Sequence, residues 1–243
     1  IRDRLRIVYV SDIHYGSQMF SDARLSSLIN RINALNAACL GIMGINALRE
    51  TFKEDDMVRV HPIITKGGDL VNNVPSDVRM ELYVRAKTME AIDCQHRRVD
   101  EALKAGGAAV GAKAVIETLP GMFPLACSPR LNDLFVENIK EYFPETKIED
   151  AGHFTASTDM GDISHLMPSI HPFIGGVDGG LHTKDFCVTD FDAAAILPGK
   201  VFAMNIIDLL YDEAAMAKEI LEKEKPILTK EEYLAKLESY FQS

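Results

Sequence analysis

Between Leu5 and Leu119 the chain passes through six segments whose apolar spacing switches between strand and helix, and that order restricts its fold most. Leu5 to Val10 alternates and is β-branched, which predicts a strand. Ser21 is a candidate N-cap for a long helix to about Phe52, with Leu25, Leu28, Ile29, Ile32, Leu35, Cys39, Ile42 and Leu48 at helical spacing. Gly41 and Gly44 weaken its middle, so two joined helices are also compatible with the pattern. Val58 to Thr65 predicts a strand ended by Gly67-Gly68, and Val78 to Arg85 predicts another. A helix follows from about Thr88 to Ala105, closed by Gly106-Gly107, and then a strand from Ala112 to Leu119 before Pro120-Gly121. The resulting β-α-β-β-α-β order implies a ferredoxin-like arrangement, an antiparallel sheet with both helices on one face.

A second region begins near Cys127. Ser128-Pro129 suits an N-cap and first helical position, and Leu131, Leu134, Phe135 and Ile139 give the next helix its apolar stripe. Gly152 to Phe186 has little periodicity and is long for an irregular segment, a property of functional loops. Two helices close the chain, one from about Gly199 to Glu222 and one opened by the capping box Thr229-Lys-Glu-Glu232. Neither internal repeats nor low-complexity tracts occur.

Charge narrows the partners. With 26 Lys and Arg against 36 Asp and Glu the net charge is −10, which argues against a general nucleic-acid or anionic-membrane surface. The four cysteines, Cys39, Cys94, Cys127 and Cys187, are scattered and form no C-x-x-C pair, as expected of reduced thiols. The apolar run Ile7-Val8-Tyr9-Val10 is too short for a signal peptide, and no apolar stretch approaches the roughly 20 residues that span a bilayer. The expectation is a cytoplasmic chain with neither nucleic acid nor membrane as partner.

The densest polar cluster runs from Gly152 to Phe186 and holds four of the seven histidines, with Asp159, Asp162 and several glycines. Neutral imidazole and carboxylate are the usual zinc ligands, so the composition suits a metal or polar-substrate site. It suits equally a polar loop whose histidines cap helices or sit in solvent. Elsewhere His61, beside Pro62 in a strand pattern, reads as structural, and His96, next to Arg97-Arg98, reads as a solvated helix residue.

Ser157-Thr-Asp-Met-Gly-Asp-Ile-Ser-His165, Pro168-Ser-Ile-His-Pro172 and Gly180-Leu-His-Thr-Lys-Asp-Phe186 resemble the C-terminal half of the catalytic domain of metal-dependent amidohydrolases of the aminoacylase and aminobenzoyl-glutamate-hydrolase kind. Ile32-Asn-Ala-Leu-Asn36, Gly44-Ile-Asn-Ala-Leu-Arg-Glu-Thr-Phe52, Val60-His-Pro-Ile-Ile-Thr-Lys-Gly-Gly68, Val71-Asn-Asn-Val-Pro75 and Leu82-Tyr-Val-Arg85 are similar to the same family's lid, or dimerisation, domain. The resemblance covers about residues 32–243. It implies an α+β chain, with a lid over 1–122 and the C-terminal part of an α/β catalytic domain over 123–243. It also implies zinc or another divalent metal, a small N-acyl amino acid or peptide-like substrate, and a homodimer formed through the lid. His182 matches the family's last metal ligand. Asn72 and Arg85 match lid positions that help hold substrate, while Asp159, Asp162, His165 and His171 fall in the segment lining the cleft. The implied chemistry is attack of a metal-activated water on an amide carbonyl, with a carboxylate as general base.

Two departures accompany the match. The family's H-x-D motif, bridging Asp and Glu-Glu pair all precede the lid in sequence, and no counterpart stands here. One histidine cannot hold a catalytic zinc that takes three protein ligands. The expectation is therefore a chain inactive as an amidohydrolase by itself, with no catalytic residue assigned. In addition, Leu5-Arg-Ile-Val-Tyr-Val-Ser-Asp-Ile-His-Tyr-Gly16 is similar to the opening of a calcineurin-like metallophosphoesterase, where a strand delivers D-x-H, here Asp12 and His14, to two metals. That likeness fades around Ile32-Asn-Ala-Leu-Asn36, which predicts a junction between two unrelated segments, with residues 1–31 foreign to the lid. Gly67-Gly-Asp-Leu-Val-Asn72 looks like a second phosphoesterase motif, but Asp69 follows Asp12 by 57 residues and the later motifs do not occur. Three functions follow in order: an amidohydrolase-derived chain, a non-catalytic dimerising or binding module, and a metallophosphoesterase. An incomplete catalytic part should also expose apolar surface.

Overall fold

The computed structural model describes residues 2–8, 33–75, 77–150, 152–153 and 156–241. They fall into two compact units, one within 1–124 and 234–243 and the other within 125–233.

The first unit is built on four strands, β1 (Arg2–Val8), β2 (Arg59–Lys66), β3 (Asp77–Arg85) and β4 (Val115–Leu119). They form one antiparallel sheet of order β2-β3-β1-β4. The segment with the foreign sequence signature is thus an inner strand: Leu5 stands opposite Met80 on one side and Ile116 on the other. On β3, Val78, Met80, Leu82 and Val84 are buried while Arg79 and Tyr83 are exposed, the period-two pattern of a sheet covered on one face. β2 is an edge strand, protected by Pro62, which has no N–H to offer, and by Arg49, whose guanidinium donates to the Val60 carbonyl at 2.6 Å.

Helices α1 (Ala34–Leu48) and α2 (Met89–Ala108) supply the apolar side chains that cover the buried face. Ala34, Ala37, Ala38 and Ile45 from α1 and Ile92, Val99 and Leu103 from α2 enter one core with the inward residues of β3. α1 begins where the periodicity predicts helix interior. Asn33 has an extended backbone and its side chain accepts from Leu35 N and Asn36 N, so a single helix from Ser21 to Phe52 is excluded; Ser21 itself lies outside the described residues. Neither glycine breaks α1. A Cβ on Gly41 would meet Leu103 at 2.9 Å, and one on Gly106 would meet Gly41 N at 2.3 Å. Those glycines let two helix backbones cross in contact, which is why α2 also runs on through Gly106-Gly107 to Ala108. His96 is a further correction. It is buried, with its Nε2 3.3 Å from the Thr118 hydroxyl of β4, where its Arg97-Arg98 neighbours predict solvent.

The second unit contains α3 (Pro129–Tyr142), α4 (Met160–Leu166), the two-residue hairpin strands β5 (Val177–Asp178) and β6 (Cys187–Val188), and α5 (Leu197–Lys223). Ser128 caps α3 by accepting from Leu131 N, with Pro129 in the first position as its sequence indicates. α3 and α5 meet through Phe135, Ile139 and Val201, and through Asn138, which donates to Asn205 and Asp208 at 2.8 Å each. Within the helical residues Asp192–Lys223 one 18-residue window reaches a mean hydropathy of 1.6, long and apolar enough by composition to cross a membrane, against the expectation that no stretch comes near that length. Lys200, Asn205 and Asp208 interrupt its apolar residues, so no single long run stands out in the sequence. The backbone is also non-helical from Tyr211 to Ala214, with positive φ at Asp212, Glu213 and Ala214. The last helix, α6 (Lys230–Phe241), opens with the expected capping box: Thr229 N donates to Glu232 Oε2 at 2.8 Å and Glu232 N to Thr229 Oγ1 at 3.2 Å.

Candidate functional site

The glycine- and histidine-rich segment is not wholly irregular. Met160 to Leu166 forms α4, which carries Asp162 and His165 three residues apart and has Asp159 at its start. Asp159 precedes the helix and accepts from the Thr158 hydroxyl at 3.1 Å. Asp162 is half-buried and accepts from the Tyr233 hydroxyl at 3.1 Å. Burial first, then the Asp162 charge and hydrogen bond, push the Tyr233 hydroxyl above its usual pKa. His165 is buried, and its Nδ1 lies 2.9 Å from the Gly161 carbonyl, so Nδ1 carries the proton and donates. The backbone carbonyl of His165 accepts from Leu228 N, which ties α4 to the segment before α6.

His171 lies beyond α4. Its ring stands edge-on to Phe173 at 5.7 Å, and its Nδ1 is buried with no hydrogen-bond partner among the described residues. His182 occupies the tip of the exposed β5–β6 hairpin with a left-handed backbone, φ 62°. Gly179 makes that tip possible, because a Cβ there would meet Asp185 O at 2.4 Å and its φ is 83°.

The remaining named residues belong to the first unit. Asn72 is exposed in the turn between β2 and β3. Arg85 ends β3 with its guanidinium 5.1 Å from the centre of the Tyr83 ring, a cation–π contact. His61 is exposed on the open face of the sheet instead of packed in it. Asp12 and His14 lie outside the described residues.

Asp162 and His165 therefore lie one turn apart on α4, with Asp159 just before it, whereas His182 stands on a separate hairpin. Among the described residues no three His, Cys, Asp or Glu side chains converge as a metal site. The donors present do not fit a catalytic zinc, which requires three protein ligands about one open position. Residues that sequence reasoning passed over complete the surroundings. Tyr233 partners Asp162 from 71 positions away, and Ser164 accepts from Ala126 N while donating to the Gly161 carbonyl. Neither contact has a local pattern that could announce it.

No family model matches the chain. Two curated proteins do. The mouse (Mus musculus) Xaa-Arg dipeptidase is 30% identical over 193 residues, 76% of this chain and 44% of that protein. The human (Homo sapiens) Xaa-Arg dipeptidase is 26% identical over 188 residues, 74% of this chain and 43% of that protein. The chain thus spans less than half the length of the curated relatives it matches. Among solved structures, a dinuclear metal-binding peptidase of the M20 family from Bacillus subtilis superposes with a TM-score of 0.61 at 15% identity, covering 87% of this chain and 50% of that one.

Proposed function

Because this chain belongs to the metallopeptidase and amidohydrolase family, we propose that it derives from a metal-dependent hydrolase of dipeptide-like or N-acyl amino acid amides and is inactive as this chain alone. The observation that carries the reading is the match to Xaa-Arg dipeptidases, which extends over 193 residues and so takes in parts of both units. In this reading the β-α-β-β-α-β unit is the ferredoxin-like lid, supported by its antiparallel order β2-β3-β1-β4 and by the two helices sharing one core with it. Asn72 and Arg85 hold the substrate from the lid, and Asp159, Asp162, His165 and His171 line the cleft. His182 contributes one ligand toward a divalent metal, zinc in the simplest case, and no group of three His, Cys, Asp or Glu among the described residues completes the site. Residues 1–31 are foreign to the lid in origin, joined near Ile32–Asn36; continuous sequencing of a native transcript across that junction would count against it.

Inactivity is tested by elemental analysis after dialysis against trace zinc, together with hydrolysis of the dipeptide Ala-Arg. The expected result is no stoichiometric metal and no turnover. Two metals held per chain with cleavage of Ala-Arg would overturn inactivity and restore the enzyme reading in full.

A second reading, a non-catalytic dimerising module, is favoured by the self-contained core of the first unit. It predicts self-association in sedimentation experiments that persists in a chelator. A chain that stays monomeric at high concentration would remove it.

A further inference from the structure

We infer that the outward face of α5 pairs with the same face of a second copy of this chain, antiparallel, about a two-fold axis between Ile206 and Ile207. The inference goes beyond the hydrolase reading and involves no residue of the first unit.

Before its bend α5 has two distinct faces. Val201, Asn205 and Asp208 recur at helical spacing and turn toward α3, where Val201 joins Phe135 and Ile139 and the other two accept from Asn138. At about 100° per residue, Ala203, Ile207 and Leu210 stand on the opposite side. Ile206, Ile207 and Leu210 are each more than half exposed.

Beyond Leu210 that face is cut. Asp212, Glu213 and Ala214 take left-handed backbone, φ 49°, 56° and 61°, and end this arm of the helix. Each has a Cβ, which disfavours the conformation. The bend sets two carboxylates, Asp212 and Glu213, just past the arm's last carbonyls. Negative charge is unfavourable there, where the helix dipole is itself negative. Asp212, Glu213 and Lys200 are exposed, and among the described residues none is in an ion pair.

A second copy running the other way supplies what is missing. Residues equidistant from the midpoint of Ile206 and Ile207 then face each other, and every contact occurs twice. Ile206 meets Ile207 of the second copy, small Ala203 meets its Leu210, and Phe202 meets its Tyr211. Lys200 falls opposite Glu213 of the second copy, so the cation of each chain reaches the anionic end of the other's arm. A parallel pair in register would set like charges against each other at both positions. Size, apolar character and charge agree on one partner and one direction.

The test is sedimentation of the full chain at sub-millimolar concentration, with carbodiimide cross-linking of mixed ¹⁴N- and ¹⁵N-labelled chains. A dimer is expected, with a mixed-isotope cross-link between Lys200 and Glu213. Lys200→Glu and Glu213→Lys should each weaken it roughly tenfold, and the two together should restore it. Ile207→Ser should abolish it with an unchanged circular dichroism spectrum, while Lys218→Glu, exposed beyond the bend, should leave it intact. A chain that stays monomeric overturns the inference. So does a dimer that survives Ile207→Ser, which then belongs to the first unit. A double variant that associates no better than either single one overturns the antiparallel register.

Discussion

The two units differ in how they bury apolar surface. In the first, seventeen buried apolar side chains among the described residues form one continuous cluster under a four-stranded sheet. In the second the corresponding cluster among the described residues has three, Phe135, Ile139 and Val201. Along α5 the side chains of Ile206, Ile207 and Leu210 are 55%, 64% and 63% exposed. A sheet with two helices on one face satisfies its hydrophobic residues locally, whereas a pair of helices crossing alone covers one stripe of each. Exposed apolar side chains also stand outside that helix, at Phe173 (65%), Leu181 (60%) and Phe191 (67%).

That contrast can be broken by mutation. Leu82→Ala, on an inner strand with 1% exposure, should destabilise the first unit by about 2–5 kcal/mol. Val201→Ala in the second should cost roughly half as much, since fewer methylenes leave a smaller cluster. Denaturant unfolding measures both, and equal costs would erase the distinction. Asn138→Ala strands the buried Asn205 beside Asp208 and should cost about 1–3 kcal/mol, because the second unit relies on polar pairing where apolar burial is thin. An unchanged midpoint would show that its helices do not depend on that contact. Replacing Ile207 and Leu210 together by Ser should leave stability within about 0.5 kcal/mol but reduce light scattering and binding of a hydrophobic dye. Unaltered scattering would mean that the exposed stripe is already covered in solution. The smallest effect belongs to Asp77, whose carboxyl Arg79 and then Lys66 hold below the usual 3.8. A lowered folded-state value contributes stability that is fully present above pH 3.8 and disappears as the pH falls through the lowered value. Asp77→Asn should flatten that acid limb slightly in urea titrations.

The periodicity of Val78, Met80, Leu82 and Val84 announced β3 within a residue of its bounds, because alternation is local and survives any packing partner. The parts played by Asn33, Gly41 and Gly106 are not legible for the opposite reason. What each does depends on something elsewhere: a cap on a helix that starts late, and a crossing of two backbones. His96 went the same way, since its two arginine neighbours say nothing about Thr118, 22 residues on. Among the candidate site residues, composition marked the segment of Asp159, Asp162 and His165 but not the short helix that aligns them, as seven residues carry too few periods to stand out.

Tyr240 gives the first unit an unusual dependence. It is buried in that core and donates to Asp93 at 2.6 Å, beside the ion pair of Lys236 with the same carboxylate, yet the whole of 125–233 separates it from its other neighbours in sequence. The intervening unit is consequently an excursion tethered at both ends to one body. Closing so long a loop adds only slowly to the entropic cost as its length grows, so its contents can be rebuilt or lengthened with little penalty to the sheet. A protease nick within it would leave the two flanks held together by α6 alone.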